Sequence, residues 1–249
     1  MEYREELVST NMTAAEYGKQ GAPHGTLVAA DKQTGGRGRR GRTWESPAGK
    51  NLYFSLLLRP EIALEKAYML TLVMAHSVAR AIENTINAAS CRVGIKWPND
   101  ILLGGKKVCG ILTEMQVESG RIDYVIIGVG INVHRQKFGG DLADKASSLE
   151  KECGETVNRE ELLHKIMQIF EEDYETFTRC GNLKPFLDYY HSRLLNKDAQ
   201  VRVLDPQKPF EGIARGITET GELLVERHDS SMVPVYAGEV SVRGLLGYV

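Results

Sequence analysis

The chain has 249 residues, 42% hydrophobic and 26% charged, which suits one large domain, or one domain with a small appendage. Its formal net charge is −2, from 31 Lys and Arg against 33 Asp and Glu, so the molecule as a whole is not built to hold a polyanion. Four well-separated cysteines with no CxxC pair (Cys91, Cys109, Cys153, Cys180) argue against a zinc site or disulfide framework and for the cytoplasm. The charged start, MEYREELVST, lacks the apolar segment of a signal peptide. The stretch AYMLTLVMAHSVA (67–79) is too short to span a bilayer and reads as a buried helix.

In chain order, Thr10 or Asn11 caps a short helix that ends at Gly18 or Gly21. TLVAAD (26–31) is a strand running into an arginine-rich loop, and NLYFSLLLRP (51–60) is a second strand stopped by Pro60. Residues 61–88 are expected as one long helix. CRVGIKW (91–97) is a strand interrupted by Pro98, and 101–117 is a hairpin turning at Gly104-Gly105. DYVIIGVGINV (123–133) is a further strand. Residues 134–155 have weak periodicity and read as loop with a short helix; 134–146 is a candidate second ligand-ordered loop. Asn158, with Glu161 three residues on, starts a helix through about Thr178, and another helix follows Pro185. After about Leu195 the texture changes to short strands, as in a small SH3-like barrel. The expected fold is therefore α+β: a mixed, mostly antiparallel sheet with flanking helices over 1–195 and a C-terminal SH3-like β-barrel over 196–249.

GGRGRRGRTW (35–44) places four arginines within six positions among glycines. GRGRRG matches GxGxxG, but the motif must open a helix, and here Pro47 and a strand follow. One reading is a solvated basic loop that touches nucleic acid. The other is a loop that closes over a small anion, glycines giving backbone approach and arginines giving forked donors. STN (9–11), KWPND (96–100) and GVGINV (128–133) raise the second reading by occurring together. Singly, each has a plain alternative: Trp97 as core, Asp100 as a turn cap, Lys107 as an exposed hairpin lysine.

These motifs, in this order, with QTGGRGRRGRTWESP (33–47) and GGKKVCGIL (104–112), closely resemble the biotin protein ligases, also called biotin–[acetyl-CoA-carboxylase] ligases. The resemblance covers essentially the whole chain. It implies a class II synthetase-like catalytic fold, activation of biotin with ATP and Mg²⁺ to biotinyl-5′-AMP, and transfer of biotin to one lysine of a carboxylase's carrier domain. The chain begins almost directly at STN and so resembles the branch without an N-terminal winged-helix domain; no DNA binding and no membrane association are expected. A homodimer through a sheet edge near the arginine loop is a further expectation.

By motif position, the resemblance implies that Ser9, Thr10 and Gln33 hydrogen-bond the biotin ureido ring, with Asn11 also binding biotin and Gly36 and Arg37 lining the same pocket. Arg39 holds the intermediate, and Lys107 bridges the biotin carboxylate and the α-phosphate. Arg40 and Arg42 face the triphosphate. Trp44 stacks on adenine, with Asn99 and Asn132 nearby. Gly110, Gly128 and Gly130 allow close approach to strand backbone, and Arg243 lies near ATP. Asp100 is assigned either to Mg²⁺ or to the proton of the incoming lysine. The nearest rival is a lipoate–protein ligase, whose substrate lacks a ureido ring. Rivals of other classes are a nucleic-acid-binding module and a catalytically idle biotin sensor.

Overall fold

The computed structural model describes residues 1–86, 91–205, 208–237 and 241–244. The elements are β1 (Glu2–Leu7), α1 (Thr10–Lys19), β2 (Thr26–Gln33), β3 (Asn51–Leu58), α2 (Met69–Glu83), β4 (Val93–Lys96), β5 (Asp100–Leu103), β6 (Lys106–Glu118) and β7 (Arg121–Asn132). They continue with α3 (Leu149–Cys153), α4 (Arg159–Cys180), α5 (Leu187–Arg193), β8 (Gln200–Leu204), β9 (Phe210–Ile217), β10 (Leu223–Glu226), β11 (Met232–Val235) and β12 (Ser241–Gly244). The first seven strands form one sheet in the order β1-β2-β3-β7-β6-β5-β4. Its β1–β2 pair is parallel and the other neighbours are antiparallel. The remaining five form an antiparallel sheet, β11-β10-β9-β8-β12, where the SH3-like strands were expected.

Successive side chains on a strand point to opposite faces, and the large sheet buries both. Leu27, Ala29, Phe54, Leu56, Ile127 and Val129 pack toward α2 in the main core. α2 is buried on nearly every side because α4 lies over it. On the opposite face, Val28, Leu57, Tyr124 and Ile126 pack with Ala14 of α1. The layers are thus α1, sheet, α2 and α4. Each fully buried aliphatic side chain contributes roughly 1.5–3 kcal/mol. α1 shields only part of its face, and the remainder is free to build a site.

Three local expectations differ from the structure. The helix expected at 61–88 begins only at Met69. After Pro60 the chain is extended at Ala63 and makes a short 3-10 turn at Leu64–Lys66 before α2. The helix also ends early, at Glu83, with 84–86 already turn; 87–88 lie outside the described residues. β1 was not expected at all: EYREEL is largely exposed and charged, as suits an edge strand, so it lacks the alternation that betrays half-buried strands. The N-cap of α1 is Ser9, not Thr10 or Asn11, which places Thr10 and Asn11 in the buried first turn. The α4 cap is as expected, with the Asn158 side chain accepting from the amides of Glu160 and Glu161.

Candidate active site

β7 ends in IIGVGIN. Ile127, Val129 and Ile131 are buried in the main core, so Gly128, Gly130 and Asn132 point to the α1 face. The antiparallel register sets Leu112 beside Gly128, Gly110 beside Gly130, and Ser55 on the other side of Gly128. The floor of the site is therefore small and polar where the same strands' other face is bulky and apolar. A Cβ at Gly128 would lie 2.0 Å from Asn11 Oδ1, so glycine there is what lets Asn11 lie against the sheet. At Gly110 and Gly130 the freed space is filled by the Trp44 indole, 2.9 and 2.5 Å from where a Cβ would stand.

The first turn of α1 supplies the wall of an inner cavity. Gln33 Oε1, at the end of β2, accepts from the Thr10 amide at 2.9 Å and lies 3.2 Å from Thr10 Oγ1. Gln33 Nε2 donates to Ser46 Oγ at 2.9 Å, and Ser46 Oγ donates to the Trp44 carbonyl at 3.0 Å. Asn11 Nδ2 donates to Glu114 at 2.7 Å. Ser9, Thr10 and Asn11 are all buried. This wall consists of neutral donors and acceptors. It suits a compact polar ring that makes several directional hydrogen bonds.

The arginine loop closes the other side. Gly36 O accepts from the Trp44 amide at 2.9 Å, and Arg42 O accepts from the Gly38 amide at 2.7 Å, so the loop is a narrow ribbon. Arg40 adopts a left-handed backbone (φ 59) at its tip. Arg39 turns inward, donating from Nη1 to Asn99 Oδ1 at 3.0 Å and from Nη2 to the Ala237 carbonyl. Burial pushes the Arg39 guanidinium below its ordinary value; Asp100 opposes this, while Arg40 and Arg42 add to it. A cation held under such pressure gains when an anion arrives.

The turn between β4 and β5 carries KWPND, with a cis Trp97–Pro98 peptide. Asn99 is pinned to β6 by its Nδ2 and carbonyl, at 3.0 and 2.9 Å from Ile111. Asp100 Oδ1 lies 2.7 Å from Lys107 Nζ, and that ammonium stands 5.2 Å from the Trp44 ring centre. Trp97 is core, as the plain reading had it: its amide donates to Asn196 at 2.8 Å and its indole to the Gly221 carbonyl at 2.9 Å. Asn132 Nδ2 donates to the Ser147 carbonyl at 3.0 Å. The 134–148 segment is stitched to Lys107 by backbone bonds from Lys107 to Lys145 and from Ser147 to Lys107.

Two adjoining cavities result. The inner one, about 50 Å³, runs from Ser9, Thr10 and Gln33 to Gly128 and Gly130. The outer one, about 410 Å³, is lined by Arg40, Arg42, Lys96, Asp100, Asn132 and Lys145, among others. Arg39, Trp44, Asn99 and Lys107 border both. The Trp44 Nε1 is buried without a partner among the described residues, so the indole sits in space a ligand could reclaim.

All the expected site residues except Gly36 and Arg243 line this double cavity, Gly110, Gly128 and Gly130 with backbone, and Gly36 lies behind it against Trp44 and Ser46. Arg243 is on β12, but its side chain lies outside the described residues. Sequence reasoning missed Ser55, Ser46 and Glu114, and gave Lys96, the lysine of KWPND, no role of its own. Ser55 is hidden in an apolar strand, whereas Lys96, buried at 6% exposure inside a strand, is an unusual placement that burial periodicity would flag. Among the described residues no cluster of three metal-ligating side chains occurs. Asp100 as a single carboxylate fits a Mg²⁺ ion that arrives with a triphosphate, since such ions take only one or two protein carboxylates.

Comparison with known proteins accounts for this arrangement. The family model described as biotin/lipoate A/B protein ligase family matches residues 5–132, and that of the biotin protein ligase C terminal domain matches 199–243. The bifunctional ligase/repressor BirA of Bacillus subtilis is 41% identical over 242 residues, 96% of this chain and 73% of that protein. The biotin–[acetyl-CoA-carboxylase] ligase of Paracoccus denitrificans is 32% identical, over 88% of this chain and 92% of its own. The solved structure of the biotin protein ligase from Aquifex aeolicus in complex with biotin and ATP superposes with a TM-score of 0.81 at 31% identity, covering 97% of each chain. With the fold, the double cavity and the sequence in agreement, the chain belongs to the biotin/lipoate A/B protein ligase family, and within it to the biotin protein ligases.

Proposed function

We propose that the protein joins biotin to AMP at the junction of the two cavities and then passes biotin to a lysine of a carboxylase carrier domain. The supporting observation is the contact between a neutral hydrogen-bonding wall and a cationic chamber, with Lys107 and Arg39 at the border. The wall from Ser9 to Gln33 takes the ureido ring, and Trp44 moves off Gly110 and Gly130 to admit the ligand.

In the first step a biotin carboxylate oxygen attacks the α-phosphorus and pyrophosphate leaves. Two anions about 4 Å apart repel by roughly 4 kcal/mol at an effective dielectric constant near 20, which fixed cations must offset. Lys107 and Arg39 stand where the carboxylate and α-phosphate meet, and Arg40 and Arg42 face the leaving pyrophosphate. Asp100 holds the Lys107 ammonium in place. Mg²⁺ held by Asp100 and the nucleotide would shield phosphate charge. In the second step the acceptor lysine amine attacks the acyl carbon, AMP leaves with the bond electrons, and Asp100 takes the amine proton. Arg39 retains the adenylate between steps.

We also read residues 1–195 as the catalytic unit and 196–249 as a C-terminal unit, supported by the separate sheets. Free cysteines among the described residues fit a cytoplasmic setting, and no described helix is long and apolar enough to cross a membrane. The decisive test is biotin-dependent ATP–pyrophosphate exchange followed by labelling of a carrier domain. Absence of exchange with biotin, ATP and Mg²⁺ would overturn the proposal.

A further inference from the structure

A polar wall selects a ligand only if each of its groups has a fixed donor or acceptor sense. A primary amide such as Asn11 can present itself either way round. Here Asn11 Nδ2 lies 2.7 Å from Glu114 Oε2 and 3.4 Å from the Leu112 carbonyl, and Asn11 Oδ1 lies 2.6 Å from Ser55 Oγ. A carbonyl and an ionised carboxylate only accept, so they demand the amide's N–H groups and turn its oxygen toward Ser55. Ser55 has one proton. Committed to Asn11 Oδ1, it leaves the Ser55 oxygen as an acceptor facing Thr10 Oγ1, 2.7 Å away. The sense of the wall therefore runs inward from one carboxylate through Asn11 and Ser55 to Thr10. The other Glu114 oxygen is 3.9 Å from an Arg37 guanidinium nitrogen, so the same carboxylate joins the fixed wall to the arginine loop.

We propose that Glu114, which lines neither cavity, is a positioning residue for biotin: through Asn11 it fixes the hydrogen-bonding polarity of the ureido-binding wall. This rests on the reading of the inner cavity as the biotin site. The Glu114 side chain is 40% exposed, so its replacement is expected to leave the fold intact.

The test is calorimetric titration of biotin into the intact wild-type protein and into Glu114→Ala and Glu114→Gln, with melting temperatures and steady-state adenylation kinetics. Gln keeps a carbonyl that accepts from Asn11 but removes the charge facing Arg37. Glu114→Ala is expected to raise the biotin Kd about tenfold, the scale of one lost charge-assisted hydrogen bond. The biotin KM should rise with it while kcat stays within about threefold. Glu114→Gln should return the Kd to within about threefold of wild type. Both variants should melt within about 2 °C of wild type. Wild-type affinity in Glu114→Ala, or Glu114→Gln as weak as Glu114→Ala, would overturn the inference. A wild-type protein that binds no biotin would instead overturn the reading of the site, and this inference with it.

Discussion

The two faces of β7 are a single residue apart and do opposite work. Ile127, Val129 and Ile131 on one side are part of the core that α2 and α4 cover. Gly128 and Gly130 on the other carry no side chain and leave the space that Asn11 and Trp44 occupy. Stability and recognition are thus drawn from alternate positions of one strand. A core residue tolerates exchange for a similar volume, whereas a site glycine tolerates no added atom.

The comparison can be broken by showing that substitutions on one face damage the other. Ile127→Ala should have the largest effect: a loss of about 2–5 kcal/mol in unfolding free energy, read by urea titration, with the biotin KM within twofold below the transition. A large change in KM would show that the faces are not separable. Lys107→Ala should leave stability nearly unchanged and lower biotin-dependent pyrophosphate exchange by roughly two to three powers of ten. Gly128→Ala sharpens the contrast, since its methyl would displace Asn11. Biotin affinity is expected to fall about tenfold or more, measured by calorimetry, with a smaller change in melting temperature than Ile127→Ala produces. The finest distinction lies within the site face. Arg39→Gly should release biotinyl-AMP several times faster and label bystander proteins, while Asp100→Ala should slow single-turnover transfer more than Arg39→Gly does. Equal transfer rates in the two variants would remove Asp100 from the second step.

Much of this arrangement was readable from residue order. NLYFSLLL is buried throughout, as a largely apolar run bounded by turns implies, and the Gly104-Gly105 hairpin and Asn158 cap carry local signals. β1 was not legible because its charges serve an edge, and the 61–68 segment looked helical because nothing local marks Ala63 as extended. In the site, the arginine loop and KWPND announced themselves by composition. Ser55 and Glu114 did not. One is a lone hydroxyl in an apolar strand, the other an ordinary-looking acid in a hairpin arm, and only strand register and the fold of α1 bring both to Asn11.

The tryptophan at the KWPND turn has a wider consequence. Both of its N–H groups end on residues from beyond position 195, and Leu195 itself donates to Ile95 at 2.9 Å, while Arg39 reaches a carbonyl at Ala237. The segment leading into the distal sheet and the loops of that sheet therefore grip the back of the reaction chamber from outside. Movement of that sheet would tilt the turn bearing Asn99 and Asp100 and tug the inward-facing guanidinium together, so a lesion many residues downstream would be felt as poor chemistry at the centre.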